Sequence, residues 1–242
     1  MRFLRRKLLA LILTPLRPFF GPRLLRWVTR KVNPWGTLYV PKRLGVQGFF
    51  NALHDAGAHH VVLRWFEELP HVERGHDLDI LVADDAVETV QSLLSDWPRG
   101  LRIDHYSVTG LYSTGYRPRR LENVLAFPPA IAEALLASAI PQPGGWSIPG
   151  PREHFLGLAY HAVILKGYAS GLPPDENTPA LQVGSRDYAT VLTELGADAG
   201  IPVEQPVTMA SVYTMLRAEG WCPSDEHLAS LKPTNPWIGT LK

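Results

Sequence analysis

The stretch "GHDLDILV", residues 75–82, constrains the fold more than any other part of the chain. Two carboxylates, Asp77 and Asp79, stand one residue apart, and an apolar run follows at once. Successive side chains of a strand alternate faces, so Asp77 and Asp79 share one face. Leu78, Ile80 and Val82 then turn to the other face, into a core. The two acids are spaced roughly 7 Å apart at Cα by the strand rise. Carboxylates at that spacing can share divalent ions, and hard oxygen donors suit Mg²⁺, which keeps waters and adds phosphate oxygens. Two such ions can clamp the attacking and leaving oxygens of a phosphoryl or nucleotidyl transfer.

The surroundings extend the pattern. Residues 44–57 place Val46, Phe49, Phe50 and Leu53 on one helical face, with Gly57 as a C-cap. Residues 58–66 and 77–83 read as strands, with a Pro- and Gly-containing connection between them. A helix follows from 84 on, with Asp84 or Asp85 as its cap and Val87, Val90, Leu93 and Leu94 as its stripe. Residues 100–108 alternate as a strand that contains Asp104, 25 positions beyond Asp79. The intervening helix would bring that strand back beside the first, so Asp104 is the natural third carboxylate. Residues 119–127 read as helical, and residues 151–171 as the strongest helix of the chain. Three further helices are expected from "SRDYATVLTELGADAG", "TMASVYTMLRAEGW" and "PSDEHLASL".

The order helix, strand, D-x-D strand, helix, Asp-containing strand resembles the nucleotidyltransferase superfamily related to DNA polymerase β. The likeness is carried by "VVL", the linker ending Arg74-Gly75-His76, "DLDILV" and "RIDHY", and spans about residues 44–110. It implies an α+β fold, a nucleotidyltransferase-like mixed sheet flanked by helices, with a helical C-terminal part and a basic helical N-terminal arm. It implies a metal-dependent transferase of phosphorus groups, moving a nucleoside monophosphate from a nucleoside triphosphate to an acceptor hydroxyl. Asp77, Asp79 and Asp104 would be catalytic and would hold Mg²⁺ (or Mn²⁺). Members of the superfamily close the first strand with Gly-Ser to bind triphosphate; here Arg64-Trp65 stand in that place. Divergent branches put Lys-Gly or Arg there, followed by "DIDLLV", and this chain looks more like those. Phosphate contacts would come from Arg64, Arg74, His76 and Lys166. The departure also supports an alternative, a non-catalytic adaptor that keeps the fold at the inner membrane face.

A sugar-nucleotide glycosyltransferase also uses D-x-D, but there the apolar strand precedes the motif. Here the residues before Asp77, "PHVERGH", are mostly polar. The nine histidines form no H-E-x-x-H or Cys/His spacing. His154 and His161 share a face of the long helix with Lys166 near its end. They serve either a triphosphate or, as ordinarily, a core and a helix C-terminus. No P-loop, G-x-S-x-G or G-x-G-x-x-G is present.

Charge divides the chain. Residues 1–54 contain 11 Lys or Arg and no acid, leaving 13 basic against 23 acidic residues in the remainder. We therefore divide the chain into a basic amphipathic arm (1–43), a nucleotidyltransferase-like core (44–130) and a mostly helical region (131–242). The apolar run 8–13 is short and Pro15 interrupts it, which is unlike a signal peptide. It also falls short of the roughly 20 residues needed to span a bilayer. Residues 1–33 instead suit an anionic membrane surface, at about 1 kcal/mol per basic side chain, or a partner protein. Nucleic acid is disfavoured because the arm has no recognisable binding fold. One cysteine, Cys222, excludes an internal disulfide and fits a cytoplasmic protein, peripheral on the inner membrane if the arm binds there.

Overall fold

The computed structural model describes residues 2–73, 75–121, 124–179 and 186–241, with side chains from Leu8 onward. It is α+β and falls into two units. The first comprises residues 1–123 with 141–147, the second residues 124–140 with 148–242.

The first unit is built on a four-stranded mixed sheet in the order β1-β4-β3-β2. Its strands are β1 (Leu38–Val40), β2 (His60–Val62), β3 (Leu78–Val82) and β4 (Leu101–Ser107). β3 and β4 run parallel, with Asp79 opposite Asp104 and Ile80 opposite His105. β1 and β2 are antiparallel edge strands. The parallel pair is joined by a 3₁₀ turn (Asp84–Ala86) and α4 (Val87–Leu93), the crossover that parallel neighbours require. One sheet face is closed by α3 (Gly45–Asp55) and α4. Phe49, Phe50 and Leu53 of α3 and Val90 of α4 meet Leu78, Ile80, Val82 and Ile103 in one apolar cluster. Each such side chain contributes about 1.5–3 kcal/mol when removed from water. The alternation read from the sequence holds: the apolar members of β3 face this core and its acids face away.

The arm contributes α1 (Arg2–Leu13), a 3₁₀ turn (Arg17–Phe19) and α2 (Pro22–Val32). Ala10, Val28 and Val32 pack with Trp97 in a second small cluster. Trp97 Nε1 donates to Thr14 Oγ1 at 3.1 Å, and the Arg17 guanidinium lies 5.4 Å above the indole. The buried Asn33 side chain donates to Thr37 O and Asp96 O, both at 2.7 Å.

The structure corrects the sequence reading in four places before the second unit. β1 was not expected, being three residues between Gly36 and Pro41. β2 is shorter than 58–66, running His60–Val62, and beyond it Trp65 takes a left-handed φ of 57°. Asp84 caps no helix; it accepts from Thr109 N–H at 3.1 Å and Thr109 Oγ1 at 2.6 Å. Among the described residues of 119–127 there is no helix. Arg119 N–H instead donates to Trp35 O, Arg119 Nη1 donates to Asn33 O, and Arg117 stacks on Trp35. These non-local partners override local helix propensity.

The second unit holds α5 (Pro129–Ala137), α6 (Pro151–Tyr160), α7 (Tyr188–Asp198), α8 (Met209–Ala218) and α9 (Asp225–Leu231). The expected helix 151–171 changes its winding: α6 passes into a π-helical turn (His161–Lys166) and then a 3₁₀ turn (Gly167–Ser170). Asn235, fully buried, supports this change. Its Nδ2 donates to Val163 O at 2.8 Å and Ile164 O at 2.9 Å, and its Oδ1 accepts from Trp237 N–H at 3.1 Å. Gly167 makes room, since a Cβ there would overlap Asn235 Oδ1, and its φ of 55° suits glycine. Asn235→Ala is therefore expected to cost about 1–3 kcal/mol, the scale of buried polar groups left unsatisfied. Urea denaturation checks it, and a midpoint equal to wild type would contradict this role.

Candidate carboxylate site on the sheet

The face of the sheet opposite the apolar core carries the three carboxylates expected from the sequence. Asp77 immediately precedes β3, Asp79 lies within it, and Asp104 lies beside Asp79 in register on β4. Parallel neighbours in register point the same way, so the three carboxylates share one face. Arg102, two residues before Asp104, and Tyr106, two after it, fall on that face by the same alternation. Asp79 and Asp104 are buried at 5% and 3% exposure, while the Asp77 side chain is 35% exposed.

Two guanidiniums neutralise this cluster. Arg64 Nη2 lies 2.7 Å from Asp79 Oδ1, and both side chains are buried. Arg64 reaches the acid because β2 ends at Val62, Leu63 N–H donates to Asp79 O at 3.0 Å, and Trp65 then turns the chain. Arg102 Nη2 sits between two acids, 2.6 Å from Asp104 Oδ2 and 3.3 Å from Asp77 Oδ2. The Arg102 guanidinium also lies 5.0 Å over the Tyr116 ring, whose hydroxyl accepts from Arg117 Nη2 at 2.7 Å. Asp104 Oδ1 is buried and has no hydrogen-bond partner among the described residues.

The electrostatics follow from this packing. Burial, and then the charge of Asp79, raise the Asp104 carboxyl well above its ordinary range, against the pull of Arg102. Burial raises the Tyr106 phenol, with Asp79 and Asp104 adding to the effect. On the opposite face, burial lowers His105 to about 4 from an ordinary 6.5. His105 is folded as the neutral imidazole, so its contribution is fully present above 6.5 and is lost as pH falls from 6.5 to about 4. The shift corresponds to about 3 kcal/mol. His105→Gln should therefore lose its stability difference from wild type by about that amount on acidification through this window. Denaturant titrations at both ends of the window test it, and a constant difference would contradict it.

The other expected residues lie apart in kind. His76 Nδ1 is 3.4 Å from Glu73 Oε2, and its side chain is 38% exposed. Lys166 belongs to the second unit, where its ammonium lies 5.3 Å over the Tyr188 ring. His154 and His161 are buried in that same unit. Arg74 lies outside the described residues. Arg102 was missed by the sequence reading, although the alternation through Asp104 was the signal for it. No protein-family model, no curated protein and no solved structure matches this chain.

Proposed function

We propose that the carboxylate face is a nucleotidyl-transfer site of the kind used by the superfamily related to DNA polymerase β. The observation that carries this reading is the register of β3 and β4. It aligns Asp79 with Asp104 and brings Asp77 onto the same face, next to an apolar core that fixes the strands.

The donor set fits a hard divalent cation in its chemistry. Three carboxylates offer oxygen ligands, and one oxygen of Asp104 is buried without a hydrogen-bond partner among the described residues. No cluster of three or more ligating side chains already disposed around one point is found among the described residues. Arg102 Nη2 lies between Asp77 and Asp104, 3.3 Å and 2.6 Å from their Oδ2 atoms. On this reading the Arg102 side chain, 35% exposed, would give way to the cation, and Arg64, buried against Asp79, would stay. Asp77, Asp79 and Asp104 would hold Mg²⁺ or Mn²⁺, which supplies Lewis-acid stabilisation of phosphate charge. Arg102, once displaced, keeps its charge at the rim, where it meets the phosphates of a nucleoside triphosphate. Arg64 holds Asp79 in its rotamer. Asp104, the most buried of the three acids, would accept the proton of an acceptor hydroxyl as its oxygen bonds to the α-phosphorus in line and the bond to the α–β bridging oxygen breaks, releasing pyrophosphate.

The arginine pairs also favour a second reading, a non-catalytic adaptor whose carboxylates are closed by guanidiniums and which binds no nucleotide. Calorimetry of the full chain with Mg²⁺ and each of the four common nucleoside triphosphates separates the two. Saturable, Mg²⁺-dependent binding supports transfer, and absence of heat with all four supports the adaptor.

A further inference from the structure

The arm presents a second surface. Among the described residues, 13 large apolar side chains are exposed, and eight of them fall between Leu8 and Trp27. Phe19 is 83% exposed, Trp27 59%, Ile12 58% and Leu8 57%. These helices are not loose: the Ala10, Val28 and Val32 side of the same segments is buried with Trp97. The outward apolar side is therefore held in place by an inward one. Large exposed apolar patches on a monomer's surface mark interaction sites, and these eight side chains fall within 20 consecutive residues.

Charge decides among the occupants. Arg23, Arg26, Arg30 and Lys31 of α2 are exposed around Leu24 and Trp27, and Lys31 Nζ lies 5.6 Å over the Trp27 ring. No acidic residue precedes Asp55 in the chain. A second copy would oppose this patch with the same positive charge, which disfavours self-association. An apolar stripe flanked by arginines and carrying an interfacial tryptophan matches the anionic face of a lipid bilayer. No described helix is long and apolar enough to cross one. We infer that residues 8–31 dock the first unit on an anionic lipid surface, with Phe19, Ile12 and Trp27 entering the headgroup boundary. This inference is independent of the chemistry proposed for the carboxylates.

Co-sedimentation of the full chain with phosphatidylcholine vesicles, with and without phosphatidylglycerol, tests it. Binding is expected on the anionic vesicles only, and it should weaken in high salt. Ile12→Ser/Phe19→Ser/Trp27→Ser should abolish pelleting while leaving the melting transition in place, because the Trp97 cluster is untouched. Arg23→Ala/Arg26→Ala/Arg30→Ala should weaken binding roughly a hundredfold, from three lost basic contacts. Failure of wild type to bind anionic vesicles, or binding by both variants as tight as that of wild type, would overturn the inference. So would a dimer seen by light scattering that the serine variant abolishes, in a chain that does not bind vesicles.

Discussion

The Asp77→Asn/Asp79→Asn variant is expected to lose Mg²⁺-dependent turnover of nucleoside triphosphates by at least roughly 100- to 1,000-fold, the scale set by removing one group that stabilises transition-state charge. The two residues offer different controls. Asp77 is partly exposed and its ion pair with Arg102 is the longer one, at 3.3 Å. Asp77→Asn alone should therefore leave stability within about 1 kcal/mol, since half-exposed ion pairs contribute little. Its effect on turnover is then an effect on chemistry. Pyrophosphate release, followed with each nucleoside triphosphate in Mg²⁺ or Mn²⁺, is the measurement. Turnover that survives in the double variant would remove the carboxylates from the reaction.

Arg64→Met is expected to destabilise the first unit by about 3–5 kcal/mol, the cost of removing one member of a buried ion pair. Asp79 would keep its charge at 5% exposure without the guanidinium now 2.7 Å away. Arg64→Met/Asp79→Leu should recover most of that loss, because replacing both members of such a pair by apolar groups is often neutral or better. Urea denaturation of the single and double variants gives the coupling directly. Additive losses would mean that Arg64 and Asp79 do not act as a pair. The contrast with Arg102 matters for function. Under the proposed transfer site Arg102 would be the exchangeable countercharge and Arg64 the structural one, so the two arginines should separate in experiment: Arg64 in stability, Arg102 in cation and triphosphate binding.

The placing of the three carboxylates on the sheet was legible because it depends on a period of two and on chain order. Alternation in "DLDILV" separated acids from core, and the intervening helix implied a parallel return that set Asp104 beside Asp79. The same alternation contained Arg102, but a cation between two acids looks like solvated charge until the strands are paired. Features fixed by distant partners were not legible. The Arg64–Asp79 pair needs the turn at Trp65, which is not a residue that announces a left-handed backbone. The π-helical turn is supported by Asn235, more than 70 positions after Val163. Arg119 is held by Trp35 and Asn33, so helix propensity there was outweighed. β1 is too short for any periodicity and exists because Tyr39 and its neighbours pair with β4.

Titration of the full chain with each nucleoside triphosphate by calorimetry, with Mg²⁺ and with Mg²⁺ withheld, tests the carboxylate site most directly. A nucleotidyl-transfer site requires saturable binding of at least one triphosphate that depends on Mg²⁺ and disappears in Asp77→Asn/Asp79→Asn. Binding of none of them by folded wild type, or binding unchanged in the variant, would contradict it.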